Sequence, residues 1–105
     1  MRERLEQMLA QGRDNALLRF GLGQACLRDE DAEAAALHLT QATAQNPRHS
    51  AAWKLLGVAL RRLERLDAAE AAWTQGVAVA EQQGDHQSVK EMRVFLRRLR
   101  RPPAQ

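Results

Sequence analysis

Displaced by 34 residues, the sequence overlays itself. Residues 16–49 set against 50–83 bring Leu22, Gly23, Ala25, Arg28, Ala34, Ala35, Thr40, Gln41 and Ala44 onto Leu56, Gly57, Ala59, Arg62, Ala68, Ala69, Thr74, Gln75 and Ala78. Nine identities exceed the roughly two or three that an alanine-rich composition gives by chance. A fixed period of this size is the mark of a solenoid, in which each unit is one supersecondary element that buries its apolar face only against its neighbours. Such a chain displays a surface rather than enclosing a reaction.

The repeated element is helical. Alanine, leucine, glutamine, glutamate and arginine dominate, all strong helix formers, while β-branched and aromatic residues are too few and scattered for strands. The spacing predicts an all-α chain of about six helices. A first helix over residues 15–28, with Asp14 as N-cap, places Leu18, Leu22, Ala25 and Cys26 on one face. A second over 32–45 carries Ala35, Leu39 and Ala42, and Asn46-Pro47 ends it. The unit then recurs with a helix over 50–63 presenting Trp53, Leu56, Gly57 and Leu60. Its partner begins at a capping box of Asp67 and Glu70, carries Ala69, Trp73, Gly76 and Val77, and stops at Gly84-Asp85. Residues 2–11 align with 36–45 and read as the second helix of a partial unit covering the first. Residues 86–100 read as an amphipathic terminal cap, and Pro102-Pro103 forbids its continuation.

The expected organisation is therefore one domain over residues 1–105: a partial repeat at 1–15, complete repeats at 16–49 and 50–83, a capping helix at 84–101 and a tail at 102–105. Composition bounds the setting. No 18-residue apolar stretch exists and Met1-Arg2-Glu3-Arg4 lacks the apolar run of a secretory signal, so a cytoplasmic protein is expected. The lone Cys26 forms no internal disulfide and reads as a small buried hydrophobe. Fourteen arginines against two lysines, with abundant alanine, fit a GC-rich bacterial genome.

At these residues the chain resembles a tetratricopeptide repeat (TPR) protein. Trp53, Leu56-Gly57, Leu60, Ala69 and Trp73 stand where that family's pattern has Trp, Leu-Gly, a large residue, Ala and an aromatic. In the first unit Leu22-Gly23, Ala35, Leu39, Ala42 and Pro47 match, but Arg19 replaces the tryptophan and Cys26 the usual tyrosine. Gly23 and Gly57 are expected to admit close approach of the paired helix, and Ala35 and Ala69 to leave it room. The resemblance implies a right-handed superhelix of antiparallel helix pairs whose first helices line a concave groove. It further implies a non-catalytic interaction module or scaffold holding a peptide or helix of a partner protein. Carried over by repeat position, the groove lining is Leu17, Phe20, Gln24, Leu27 and Arg28 from the first unit and Lys54, Leu55, Val58, Arg61 and Arg62 from the second. The occupant implied by that lining is acidic and partly apolar, with self-association as a variant. The family's chaperone clamp of lysines and asparagines is excluded, because Phe20, Gln24 and Val58 occupy its positions and only Lys54 has the required chemistry.

The last helix carries the strongest charge feature. Lys90, Arg93, Arg97, Arg98, Arg100 and Arg101 against Glu91 give +5, leaving −2 for the rest of a chain whose total is +3. Docking on nucleic acid or an anionic membrane surface is the alternative function this suggests. No aromatic residue interleaves with the arginines, and the bland reading is a solvated cap face formed by Lys90, Arg93, Arg97, Arg100 and Arg101. Chemistry has little footing. His38, His49 and His86 share no metal-ligand spacing, no glycine-rich phosphate loop is present, and Asp29, Glu30, Asp31 and Glu33 read as a solvated turn complementing the next helix N-terminus. Neither an enzyme nor a cofactor is expected.

Overall fold

The computed structural model describes residues 1–100 of the chain. They form six helices: α1 Arg2–Ala10, α2 Ala16–Arg28, α3 Ala32–Gln45, α4 Ser50–Arg62, α5 Leu66–Gln82 and α6 His86–Leu99. Connections of three residues join α2 to α3, α4 to α5 and α5 to α6, so each pair folds back as a hairpin. The particle is elongated, 49 × 32 × 19 Å.

Four of the turns share one backbone device. Arg13, Asp31, Arg65 and Asp85 each donate an N–H to the carbonyl five residues back, at 3.1, 2.8, 2.9 and 2.9 Å. That closure needs a residue of positive φ, supplied by Gly12, Glu30, Glu64 and Gly84. The residue after it is the N-cap of the next helix in three of these turns. Asp31 accepts from Ala34 N–H at 3.1 Å, and Asp85 from Ser88 N–H at 3.2 Å. Arg65 stands at the third and makes no side-chain cap.

Two expected caps are thereby corrected. Helix α5 starts at Leu66, ahead of the anticipated cap, so Asp67 and Glu70 lie within the helix and form no capping box; both instead face Arg100, just past the end of α6. At α2 the N-cap is Asn15, accepting from Leu18 N–H at 2.9 Å. Asp14 is drawn away by Arg19 and Gln45, at 2.8 and 2.9 Å.

The core lies between the hairpins. One cluster joins Cys26, Ala35, Leu39, Leu56, Ala59 and Ala72, and a second joins Ala69, Trp73, Ala80, Val89, Met92 and Leu99, with half-buried Leu60 packed against both. Close approach depends on two glycines. A Cβ on Gly23 would stand 2.4 Å from Leu39 Cγ, and one on Gly57 2.1 Å from Trp73 Nε1, distances no real pair adopts. With that space open, Trp73 Nε1 reaches over α4 and donates to the Lys54 carbonyl at 2.9 Å. By contrast α1 buries no residue. It packs on α2 alone, with Arg2 reaching Asp29 and Asp31 in the turn beyond.

Candidate partner-binding face

The first helices of successive units, α2, α4 and α6, lie side by side and form one face. Helix α6 belongs to this series. Lys54, Val58, Arg61, Arg62 and Leu63 of α4 recur 36 residues later as Lys90, Val94, Arg97, Arg98 and Leu99. It is the first helix of a third unit, set two residues out of the 34-residue register by the longer α5.

Two hollows mark the face. Gln24, Leu27 and Arg28 of α2 meet Leu55, Val58 and Arg62 of α4 around about 380 Å³. Val58, Arg61 and Arg62 then meet Phe95 and Arg98 of α6 around about 280 Å³, with an edge of Trp73 as floor. Seven of the ten expected residues are brought together in this way. The other three sit elsewhere. Leu17 stands at the far end of α2, 76% exposed. Phe20 is half-buried, its ring centroid 4.5 Å from that of His49. Lys54 is held by Glu91 of α6, Nζ to Oε1 2.7 Å. That ion pair, seconded by Gln87, keeps the Glu91 carboxyl below its ordinary range.

Phe95 and Arg98 were not expected on this face. For Arg98 the signal in the sequence is the 36-residue recurrence onto Arg62, which a search at 34 residues misses, whereas Phe95 recurs onto buried Ala59 and carries no such signal. The basic character of α6 is accordingly divided. Arg93 pairs with Glu81 and Arg100 with Asp67 and Glu70, both reaching back to α5. Arg98 points into the hollow, and on the outer side, beside Arg93, Lys90 and Arg97 make no ion pair among the described residues. Arg101 lies outside the described residues.

Charge is only partly sorted, since Arg28 also borders a hollow with Glu3, Glu6 and Asp29, and Arg62 one with Glu30, Asp31 and Glu33. Among the described residues no carboxylate lines either hollow of the concave face, and Arg28, Arg61 and Arg98 make no ion pair, while Arg62 donates to the Leu27 carbonyl at 3.3 Å. The acids are engaged elsewhere: Glu33 with Arg65, Asp29 and Asp31 with Arg2. The anticipated solvated acidic turn is thus partly spent on ion pairs. The remaining titratable groups point to no reactive centre. Burial raises the Cys26 thiol, and burial together with Arg19 lowers His38. Among the described residues no three His, Cys, Asp or Glu side chains converge, and no helix is long and apolar enough to cross a membrane.

Hairpins stacked so that each closes over its neighbour, with first helices on one face, define an α-solenoid of helix-turn-helix repeats. A family model described as tetratricopeptide repeat matches residues 2–39 and 30–85. The chain belongs to that family. It is 55% identical over 101 residues to a TPR repeat-containing protein of Pseudomonas aeruginosa, 96% of each chain being covered. Among solved structures, a protein of Bordetella parapertussis is 49% identical with a TM-score of 0.80, covering 94% of this chain and 86% of that one. A tetratricopeptide repeat domain protein of Salinibacter ruber shares the fold at 23% identity, with a TM-score of 0.75 over 82% of this chain and 96% of its own. These relatives are bacterial. Domains of this family generally serve as protein-interaction modules and typically as non-catalytic scaffolds.

Proposed function

We propose that this chain is a non-catalytic adaptor that holds an acidic, partly apolar peptide or helix of a partner protein across α2, α4 and α6. The observation that carries this reading is the pairing of an apolar floor with unneutralised guanidinium groups. Leu27, Leu55, Val58 and Phe95 offer anchor contacts, and Arg28, Arg61, Arg62 and Arg98 surround them, with no carboxylate of the described residues in either hollow. Arginine suits the task because its planar fork grips a carboxylate through two parallel bonds and sheds its water more readily than lysine. Burying an apolar side chain in such a rim excludes water from the charged contacts and strengthens them. Lys54 has a supporting part, since its pairing with Glu91 ties α6 to α4 beside the second hollow.

The test is capture of a partner from the native bacterium, followed by direct titration of the captured protein. Reversing Arg62 and Arg98 to glutamate should weaken binding by about 2 kcal/mol or more with little change in melting temperature, because Arg62 is exposed and Arg98 unpaired. Reversing Lys90 and Arg97 on the outer side should leave that affinity nearly intact. The opposite pattern would transfer the function to the basic outer side of α6 and overturn this reading.

A further inference from the structure

Positive charge without a counterpart is unevenly spread over the two hollows of the concave face. Arg28 and Arg62, which border the first, each also border a neighbouring hollow that carboxylates line. Arg61 and Arg98 are exposed and make no ion pair among the described residues. Glu64, three residues after Arg61, makes no ion pair among them either, and Glu91 of α6 is held by Lys54 and Gln87 at 2.7 and 3.3 Å. The second hollow, of about 280 Å³, therefore sets three guanidinium groups around Val58, Phe95 and Trp73. Arg61 and Arg62 come from α4 and Arg98 from α6, and no carboxylate of the described residues stands among them.

We propose that the second hollow takes a phosphorylated serine or threonine of the partner, so that phosphorylation of the partner switches its binding on. This deepens the adaptor reading and rests on it. The choice of anion follows from charge. A carboxylate offers one charge and two oxygens, which a single guanidinium satisfies through two parallel bonds. A phosphorylated side chain carries about −1.5 to −2 at neutral pH and three strong acceptor oxygens. Against three guanidinium groups the carboxylate leaves most of the positive charge unmet, while the phosphate answers most of it and has an oxygen for each planar fork. Size agrees, since small-molecule pockets begin at about 300 Å³ and a hollow near that limit fits one anionic side chain rather than a helix.

The first hollow supplies the context. Val58 and Arg62 are common to both hollows, which flank α4 on either side, and Leu27 and Leu55 make the first the more apolar of the two. Packed helices lie about 8–10 Å apart, and an extended chain advances about 3.3 Å per residue, so an apolar side chain about three residues from the phosphate reaches it. A nucleic-acid backbone fits less well, because it needs a track of free cations. Those that could extend this one are neutralised, Lys54 by Glu91, Arg93 by Glu81 and Arg100 by Asp67, while Lys90 and Arg97 border a different hollow.

The test sets the whole chain against three synthetic peptide libraries with the same degenerate flanks around one fixed residue: phosphoserine, serine or glutamate. Fluorescence anisotropy should show the phosphoserine library bound about tenfold or more tightly than the serine library and about threefold or more tightly than the glutamate library. Phosphopeptides recovered from the chain should be enriched in an apolar residue about three positions from the phosphoserine. Arg61→Gln with Arg98→Gln should remove the preference for phosphate with little change in melting temperature, and Lys90→Gln with Arg97→Gln should keep it. The comparison among libraries is made on the wild-type chain and so does not depend on any variant folding. Equal binding of the phosphoserine and glutamate libraries would overturn the proposal and leave the acidic-peptide reading standing. A phosphate preference that survives Arg61→Gln with Arg98→Gln, recovered phosphopeptides without apolar enrichment, or tighter binding of a single-stranded DNA oligonucleotide than of the phosphoserine library would overturn it as well. So would failure of all three libraries to bind, whereas the adaptor reading is decided by Arg62 and Arg98 against the captured partner.

Discussion

At the entrance to its first helix, the second unit ties Trp53 Nε1 to the Pro47 carbonyl at 2.8 Å, while the first unit ties the Arg19 guanidinium to Asp14 at 2.8 Å. Trp53 and Arg19 are equivalent positions, and both side chains reach back to the loop that precedes their own helix. The contrast continues inside the hairpins. Leu39 fills the space over Gly23 in the first unit, and the larger Trp73 fills the space over Gly57 in the second while also capturing a backbone carbonyl. The first unit is tied at its edges by charge, through Arg19–Asp14, Arg2–Asp31 and Arg65–Glu33. The second carries ion pairs as well, through Lys54–Glu91, Arg93–Glu81 and Arg100–Asp67, but adds the aromatic anchors Trp53 and Trp73 that the first lacks. One backbone plan thus tolerates two chemistries, and the two should fail under different insults.

Truncation should separate them most. Trp73 is 1% exposed and lies against Phe95 with ring centroids 5.1 Å apart, so Trp73→Ala should cost about 3–5 kcal/mol, comparable to the whole stability of a small domain. Leu39→Ala, equally buried, should fall at about 2–4 kcal/mol, since it removes a smaller volume and no hydrogen bond. Denaturant unfolding of the two variants measures the gap. Equal costs would mean that the aromatic contacts and the Lys54 carbonyl bond add nothing to Trp73, and the contrast between units would collapse.

Acid should act in the other direction, and more gently. Arg19 and Gln45 hold the Asp14 carboxyl well below the ordinary value of 3.8, and the Ala34 N–H together with Arg2 does the same for Asp31. A carboxyl depressed on folding contributes stability that is complete above its unfolded pKa and is lost as pH falls toward the folded one. The contribution is therefore intact at neutral pH and weakens as pH drops below about 4. Because these pairs are partly exposed, the effect is small and salt-sensitive. Hydrogen exchange at falling pH should show the start of α2 opening before the start of α4, whose Trp53 staple carries no titrating group. Simultaneous opening would show that the Arg19–Asp14 pair does not do the work of the Trp53 staple.

The units also differ in how readable they were. Helix α3 appeared at its expected limits, because Ala35, Leu39 and Ala42 follow a single helical period and Asp31 and Pro47 bracket it. Helix α5 did not. Asp67 and Glu70 have the spacing of a capping box, yet the turn geometry places the N-cap at Arg65, a residue whose side chain gives no cap signal. Arg19 looked like a lost tryptophan and proved to be a replacement for one, which only its spatial relation to Asp14 reveals. Of the expected lining residues, seven border the two hollows between α2, α4 and α6. Arg98 escaped because α5 runs 17 residues against 14 for α3 and shifts α6 out of register, and Phe95 because its counterpart Ala59 is buried. Lys54 was placed on the correct helix, but periodicity carries no information about a pairing with Glu91 37 residues away.

The smallest expected difference lies in the two turns that use glutamate at positive φ. Glu30 and Glu64 hold φ of 59° and 60°, where Gly12 and Gly84 serve the corresponding turns. Left-handed geometry costs a residue with a Cβ roughly 1–2 kcal/mol, and glycine removes that cost while adding entropy to the unfolded chain. Each glutamate-to-glycine change should therefore stabilise by a net amount below about 1 kcal/mol. The surroundings then separate the pair. Glu30 stands between Asp29 and Asp31, so Glu30→Gly also relieves like-charge repulsion, whereas Glu64 is flanked in sequence by Arg65 and lies one helical turn from Arg61. Glu30→Gly should be the more stabilising of the two, and the margin should shrink as salt is raised because its origin is an exposed charge contact. Thermal melts of both variants at low and high salt read this directly; a margin that salt leaves unchanged would assign the difference to backbone geometry and remove the distinction in charge between the two turns.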